Sequence, residues 1–338
     1  MGAKGFILIS FKLEFIPKSY YIREEKFFEE FMEEKPKPES VIAGDLECII
    51  SEPALLGEGP VWDSGQKKLI WVDIDGKKLH FWDYSSKKDT SYDMGETIGA
   101  AAPINNGKVL VALEHKISIF DPKDNTATIV VDLGKEIEGT RFNDGKCDSK
   151  GRFWIGTMDF DKTSPLRKGK LYRLDRDRKL TLIIEGVKTS NGLDWSLNDD
   201  VMYYTDTPTL EISAFKFDAE KGEISEKRTA ITFKEEWGRP DGCTMDSEGK
   251  LWVACFSGSS VRRFDPATGE LLEVLKVPVK HVTSVCFGGE DHQTLFITTS
   301  RHKLSEEEAK ANPLAGCVFA VKTKVKGRTQ KVDFEKEF

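Results

Sequence analysis

The chain has 338 residues, 39% of them hydrophobic and 10% aromatic, enough apolar material for one large domain or two ordinary ones. Its 50 Lys and Arg stand against 57 Asp and Glu, for a net charge of −7, and no basic stripe breaks the mixture, which argues against a nucleic-acid partner. No run approaches the roughly 18 consecutive apolar residues of a membrane helix, so no membrane partner is expected either.

The N-terminal segment, residues 1–44, differs from the rest. The apolar run Phe6 to Phe11 is at the short end for a signal-peptide core and has no small-residue cleavage site after it. Gly2 is not followed by Ser or Thr at position 6, as myristoylation requires. REEKFFEEFMEEK then spaces apolar residues as a helix does, and KPKPES reads as a linker. A peripheral helix and tether are expected here, with a second domain from 45 to 338. The six cysteines are scattered without a C-x-x-C pair and read as small buried hydrophobes. The five histidines lack zinc-site spacing. A reduced, cytoplasmic protein is expected.

Beyond residue 44, short alternating segments are broken by Gly, Asp, Asn and Ser, the mark of an all-β chain. A unit repeats along it: a strand of small residues, a tight turn, an aromatic-rich strand, a second turn, and a strand ending in Asp. Clear copies begin at GPVWDSGQKKLIWVD, NDGKCDSKGRFWIGTM, NGLDWSLNDDVMYYTDT and DGCTMDSEGKLWVACF, and weaker ones at GAAAPINNGKVLVAL and TSVCFGGEDHQTLFITTS. The aromatic strands recur about every 40 to 50 residues, the period of a four-stranded blade. Six such units predict a six-bladed β-propeller, small first strands at the crowded axis and DLECIIS (45–51) closing the ring beside the last strand. The absence of βα alternation excludes a two-domain α/β protein.

Aligning the units on their second strands puts Glu58, Asn143, Asn191 and Asp241 at matched positions on the first strands, each 11 or 12 residues before Ile70, Trp154, Tyr203 or Trp252. The weak copies offer only Gly99 and Ser284 there. A ring brings such positions together, so two carboxylates and two amides should converge at one end of the channel. An all-oxygen cluster of charge −2 suits one hard divalent cation, Ca²⁺, Mg²⁺ or Mn²⁺, with Zn²⁺ a less natural occupant. Such an ion polarises a carbonyl or lowers the pKa of water. Arg141, two residues before Asn143, can fork to a substrate oxygen. Two longer connections, 159–168 and 300–315, should overhang the same rim together with Trp237 and Arg239.

The phrases GEGPVWD, RFNDGK, GTM, SNGLDWS, PDGCTMDSEGKLWVACF and VTSVCFGG resemble the senescence marker protein/gluconolactonase/luciferin-regenerating enzyme family, and SNGLDWS and EGKLWVAC are closest to its regucalcin members. The resemblance runs from about residue 46 to the C-terminal region. It implies a propeller with one central divalent cation and a metal-dependent hydrolase that opens sugar lactones. By motif, Glu58, Asn191 and Asp241 match the family's metal ligands and Asp241 its general base. Arg141 and Asn143 match substrate-binding positions, and Asp161, in the loop after GTM, an acidic substrate contact. Phosphotriester or nitrile hydrolysis at the same site, or a non-catalytic calcium-binding and regulatory role, are the alternatives. The expected partner is a small lactone, and ring closure, which leaves no open edge, favours a monomer.

Overall fold

The computed structural model describes residues 39–161, 163 and 165–328. The helix expected in the N-terminal segment, and the linker up to position 38, lie outside the described residues. The described residues form a six-bladed propeller whose six antiparallel sheets have four strands each. Blade 1 is β2 to β5 (Gly57–Asp63, Lys68–Asp73, Lys78–Asp83, Asp89–Asp93), and blade 2 is β6 to β9 (Ile98–Pro103, Val109–Leu113, Lys116–Asp121, Thr126–Asp132). Blade 3 is β10 to β13 (Thr140–Cys147, Phe153–Asp159, Gly169–Leu174, Leu180–Val187), and blade 4 is β14 to β17 (Ser190–Trp195, Val201–Asp206, Glu211–Asp218, Glu223–Thr232). Blade 5 is β18 to β21 (Arg239–Met245, Leu251–Phe256, Ser260–Asp265, Glu270–Lys276). Blade 6 takes β22 to β24 (His281–Gly288, Thr294–Ser300, Val318–Lys322) and completes itself with β1 (Glu47–Ile50), the closing strand expected from DLECIIS.

The first strands touch one another in the cyclic order β2, β6, β10, β14, β18, β22. Six apolar layers fill the wedges between adjacent blades. Aromatic second strands supply much of that filling: Trp71, Trp154 and Trp252 are buried in three of the layers. Close approach at the axis explains the small residues there. A Cβ on Gly192 would come within 2.3 Å of the Asp241 carbonyl on the next blade, so no larger side chain fits.

The hairpins are pinned by side chains as well as by the ladder. In blade 5 the Asp246 carboxylate accepts from the Trp252 indole at 2.9 Å and from Arg263 Nε at 2.8 Å. Asp148 does the same in blade 3 for Trp154 at 3.0 Å and Arg152 Nε at 2.6 Å. These are the turn aspartates of DSEG and DSKG. Each satisfies a buried indole that would otherwise cost free energy.

One element was not legible as a helix in the sequence. The connection after β23 contains α1 (Glu306–Ala311), a short helix started by a capping box in which Ser305 Oγ accepts from the Glu308 N–H and the Glu308 side chain accepts from the Ser305 N–H. Among the described residues no helix is long and apolar enough to cross a membrane.

Candidate functional site

Every first strand carries a β-bulge at the same height. The register slips between Glu58 and Val61, Ile98 and Ala100, Phe142 and Gly145, Asn191 and Leu193, Pro240 and Cys243, and Val282 and Ser284. A bulge leaves a residue unpaired and re-aims its neighbours. Asn143 and Asp241 lie inside their slips, and Glu58 and Asn191 are the last paired residues before theirs, so all four stand at the bulges. In blade 6 the unpaired residue is Thr283, one before the Ser284 that spacing indicated, and its hydroxyl donates to the Gly57 carbonyl at 2.6 Å. Blades 2 and 6 therefore offer no charged group, as the weak repeats implied.

The four polar residues and Arg141 are all buried, each at about 5 or 6% exposure. A directed relay links Arg141, Asn143, Asn191 and Thr207. Arg141 Nη1 donates to Asn143 Oδ1 at 2.7 Å and to the Phe142 carbonyl at 2.9 Å. Asn143 Nδ2 donates to Asn191 Oδ1 at 2.9 Å and to the Ser190 carbonyl at 2.8 Å. Asn191 Nδ2 donates to Thr207 Oγ1 at 2.8 Å, and Thr207 donates to the Pro240 carbonyl, one residue before Asp241, at 2.9 Å. Thr207 thereby holds the Asn191 amide with its oxygen toward Asn143.

The charge balance is uneven. Burial, and then the charge of Asp144, push the Glu58 carboxyl up to about 8, against the smaller opposing effects of the Gly59 N–H and Arg141. Asp144 is itself raised to about 6, chiefly by burial, with Lys146 and the Gly145 N–H opposing. Burial lowers the pKa of Arg141, and Asp75, Glu58 and Glu114 hold its charge in place. Buried carboxyl groups facing each other without a full complement of positive charge are what a cation would relieve.

The donors fit that role chemically: carboxylate and amide oxygens are hard ligands suited to Ca²⁺, Mg²⁺ or Mn²⁺. Among the described residues no three His, Cys, Asp or Glu side chains gather as a metal cage by themselves, so any ion here depends on the asparagines as well as the acids.

Beside the bulges lies a void of about 90 Å³, with Gly59, Pro60, Asp144, Lys146, Cys243 and Ser284 in its lining. In that lining, Lys146 Nζ donates to Asp194 Oδ2 and to the Cys243 carbonyl, both at 2.9 Å. The repeat alignment places neither Asp144 nor Thr207 in the site. Asp144 had a readable signal, since it follows Asn143 directly and a bulge can present two consecutive residues to one side. Thr207 had none, because it lies in the connection after β15.

Strand register places the connections on one rim. Thr140 pairs with Asp159 and His281 with Ser300, so the loops that follow β11 and β23 leave beside the starts of β10 and β22. Lys188 anchors the first of these loops, donating to Asp159 Oδ2 at 3.0 Å, to the Leu166 carbonyl at 3.2 Å and to the Asp161 carbonyl. Asp161 is exposed on this loop, where its carboxylate closes a local turn by accepting from the N–H and hydroxyl of Thr163 at 3.0 and 2.7 Å. Arg239 is exposed at the start of β18 on the same rim, and Trp237 is half-buried, its ring under the Arg262 guanidinium at 4.8 Å.

Comparison with known proteins agrees with this architecture. The profile of the SMP-30/Gluconolactonase/LRE-like region matches residues 56–301. Regucalcin of Danio rerio is 38% identical over 276 residues, covering 82% of this chain and 93% of its own. Among solved structures, a luciferin-regenerating enzyme superposes with a TM-score of 0.78 at 32% identity, over 84% of this chain and 97% of its own. A calcium-binding protein, regucalcin, from Agrobacterium tumefaciens superposes with a TM-score of 0.80 at 28% identity, over 86% and 96%. The chain thus belongs to the SMP-30/gluconolactonase/LRE-like family of six-bladed propellers.

Proposed function

We propose that this protein is a divalent-metal-dependent hydrolase that opens sugar lactones in the cytoplasm. The observation that supports the reading is that Glu58, Arg141, Asn143, Asn191 and Asp241 are all buried on bulged first strands. Membership of a family that includes gluconolactonases supports it.

Glu58, Asn191 and Asp241 are the proposed ligands, with Ca²⁺ a leading occupant because the Agrobacterium neighbour is described as calcium-binding. A cation bound there supplies Lewis acidity toward a carbonyl oxygen. The chain's own groups do the rest. Arg141 offers N–H donors to the lactone oxygens, where charge develops as water attacks. Its bond to Asn143 fixes the angle at which it does so. Asp241 accepts a proton from the attacking water. The new bond joins that water oxygen to the carbonyl carbon, the ring C–O bond breaks, and a proton ends on the released ring oxygen to give the hydroxy acid. Asp161 and the loops after β11 and β23 are proposed to contact the substrate's outer hydroxyls.

The test is hydrolysis of glucono-δ-lactone by chelator-stripped protein, with Ca²⁺, Mg²⁺, Mn²⁺ and Zn²⁺ restored one at a time, beside Asp241→Ala. Activity restored by an ion in the wild type and absent from the variant is expected. Tight ion binding without turnover of any lactone would instead favour a calcium-binding role without catalysis, the reading that the Agrobacterium neighbour's description supports.

A further inference from the structure

The propeller closes where its first strand meets its last, and two thiols lie at that seam. Cys48 is on β1 and Cys317 immediately precedes β24. Cys48 faces Phe319 across the ladder, and Cys317 lies two residues before Phe319 on the same side of its strand. Both thiols face the apolar layer between blades 5 and 6. The ladder slips by one residue between Cys48 and Ile50, which pairs with Val318, the residue after Cys317. The sulfurs donate to neighbouring carbonyls, Cys48 Sγ to Ile50 at 3.6 Å and Cys317 Sγ to Ser51 at 3.8 Å. The Cys317 thiol is pushed up to about 12, first by burial and then by its hydrogen bond with the Cys48 thiol. Cys147, Cys243, Cys255 and Cys286 are buried on four other strands, β10, β18, β19 and β22.

We infer that Cys48 and Cys317 form a thiol–disulfide exchange site, at which a low-molecular-weight disulfide converts the pair into a covalent clasp across the propeller seam. Cys48, half-buried, is the entry point, while Cys317 is only 1% exposed. The Cys48 thiolate attacks one sulfur of the reagent disulfide and expels its first thiolate, forming a mixed disulfide. Cys317 then gives up its proton, its sulfur attacks that of Cys48, and the second reagent thiolate leaves. Two S–H bonds are lost and one S–S bond is formed, while the reagent disulfide is reduced to two thiols. The buried, high-pKa Cys317 makes the second step the slow one, since only a thiolate attacks.

The clasp would act where the ring is otherwise held by backbone pairing and packing. It would also tie down the end of the rim loop, because the Cys317 carbonyl accepts from Thr299 Oγ1 at 2.6 Å and its N–H donates to the Leu314 carbonyl at 3.1 Å. Nearly the whole propeller lies inside the closed loop, so the unfolded chain loses much of its freedom.

The experiment uses the full chain, reduced and then exposed to oxidised glutathione. Intact mass, thiol counting and a non-reducing peptide map follow the chemistry, and thermal denaturation follows its effect. The expected product is lighter by two hydrogens, has lost two thiols, and yields one peptide pair joining residues 48 and 317. Its denaturation midpoint rises by roughly 5–10 °C, reversed by dithiothreitol. Cys48→Ser, at the half-buried position, should fold and show neither linkage nor shift. A glutathione adduct that persists on Cys48 while Cys317 still alkylates on unfolding would overturn the proposal, as would a crosslink joining any other pair or no thiol loss at all.

Discussion

Glu58→Gln removes a carboxyl group while keeping its shape, and its effect on stability should change with pH. Glu58 is buried and its carboxyl rises from 4.5 in the unfolded chain to about 8 in the metal-free fold. A group with a raised folded-state pKa binds its proton more tightly in the native state. Its contribution to stability is full below about pH 4.5 and is lost as the pH rises through about 8. The resulting cost to the metal-free wild type is about 1 kcal/mol near pH 5, about 3 kcal/mol near pH 7 and about 4 kcal/mol near pH 8. The glutamine side chain does not titrate, so the variant should gain on the wild type by about 3 kcal/mol between pH 5 and pH 8. Urea denaturation of both proteins in chelator at several pH values reads this difference directly. Saturating Ca²⁺ should offset most of that cost near neutral pH, because a ligand bound only to the native wild type adds about 3 kcal/mol at a hundredfold excess over Kd. A difference in chelator that stays flat between pH 5 and pH 8 would refute the reasoning, since Glu58 would then carry no trapped proton.

Other residues make separable predictions. Thr207→Val keeps the volume of the threonine but removes the hydroxyl that orients the Asn191 amide, so ion affinity by titration calorimetry should fall about 10–100-fold with the fold intact by circular dichroism. Arg141→Lys keeps the charge but not the fork, and kcat/KM on a responsive lactone should drop by about 10²–10³ with little change in ion affinity. Trp252→Ala opens a cavity in the layer between blades 5 and 6 and leaves Asp246 without its indole donor, so it should cost about 3–5 kcal/mol in denaturant unfolding. Leu197→Ala, at a position 46% exposed, should cost under about 0.5 kcal/mol in the same assay.

The blades were legible because their causes are local. Alternating apolar residues, turn residues such as those of DSKG and DSEG, and a repeated period specify strands and hairpins without reference to distant contacts. The small first strands and aromatic second strands identified the axis and the wedges, and DLECIIS was readable as the closing strand. The matched polar positions were legible for the same reason, since identical units place identical positions at identical heights.

What tertiary structure decided was how those positions are aimed and balanced. Glu58, Asn143, Asn191 and Asp241 stand at bulges that the strand ladder creates, and a bulge has no composition of its own when its residue is Asp144 or Thr283 rather than Gly. The relay through Thr207 joins residues of blades 3, 4 and 5, and Glu58 acquires its raised pKa from burial at the axis and from Asp144 two blades away. The pairing of Cys48 with Cys317 belongs to the same class: they sit near opposite ends of the chain, and only ring closure makes them neighbours. Sequence by itself determined that six sheets form and which residues stand at a common height. Their spacing, partners and charges depend on distances between blades, which no local pattern encodes.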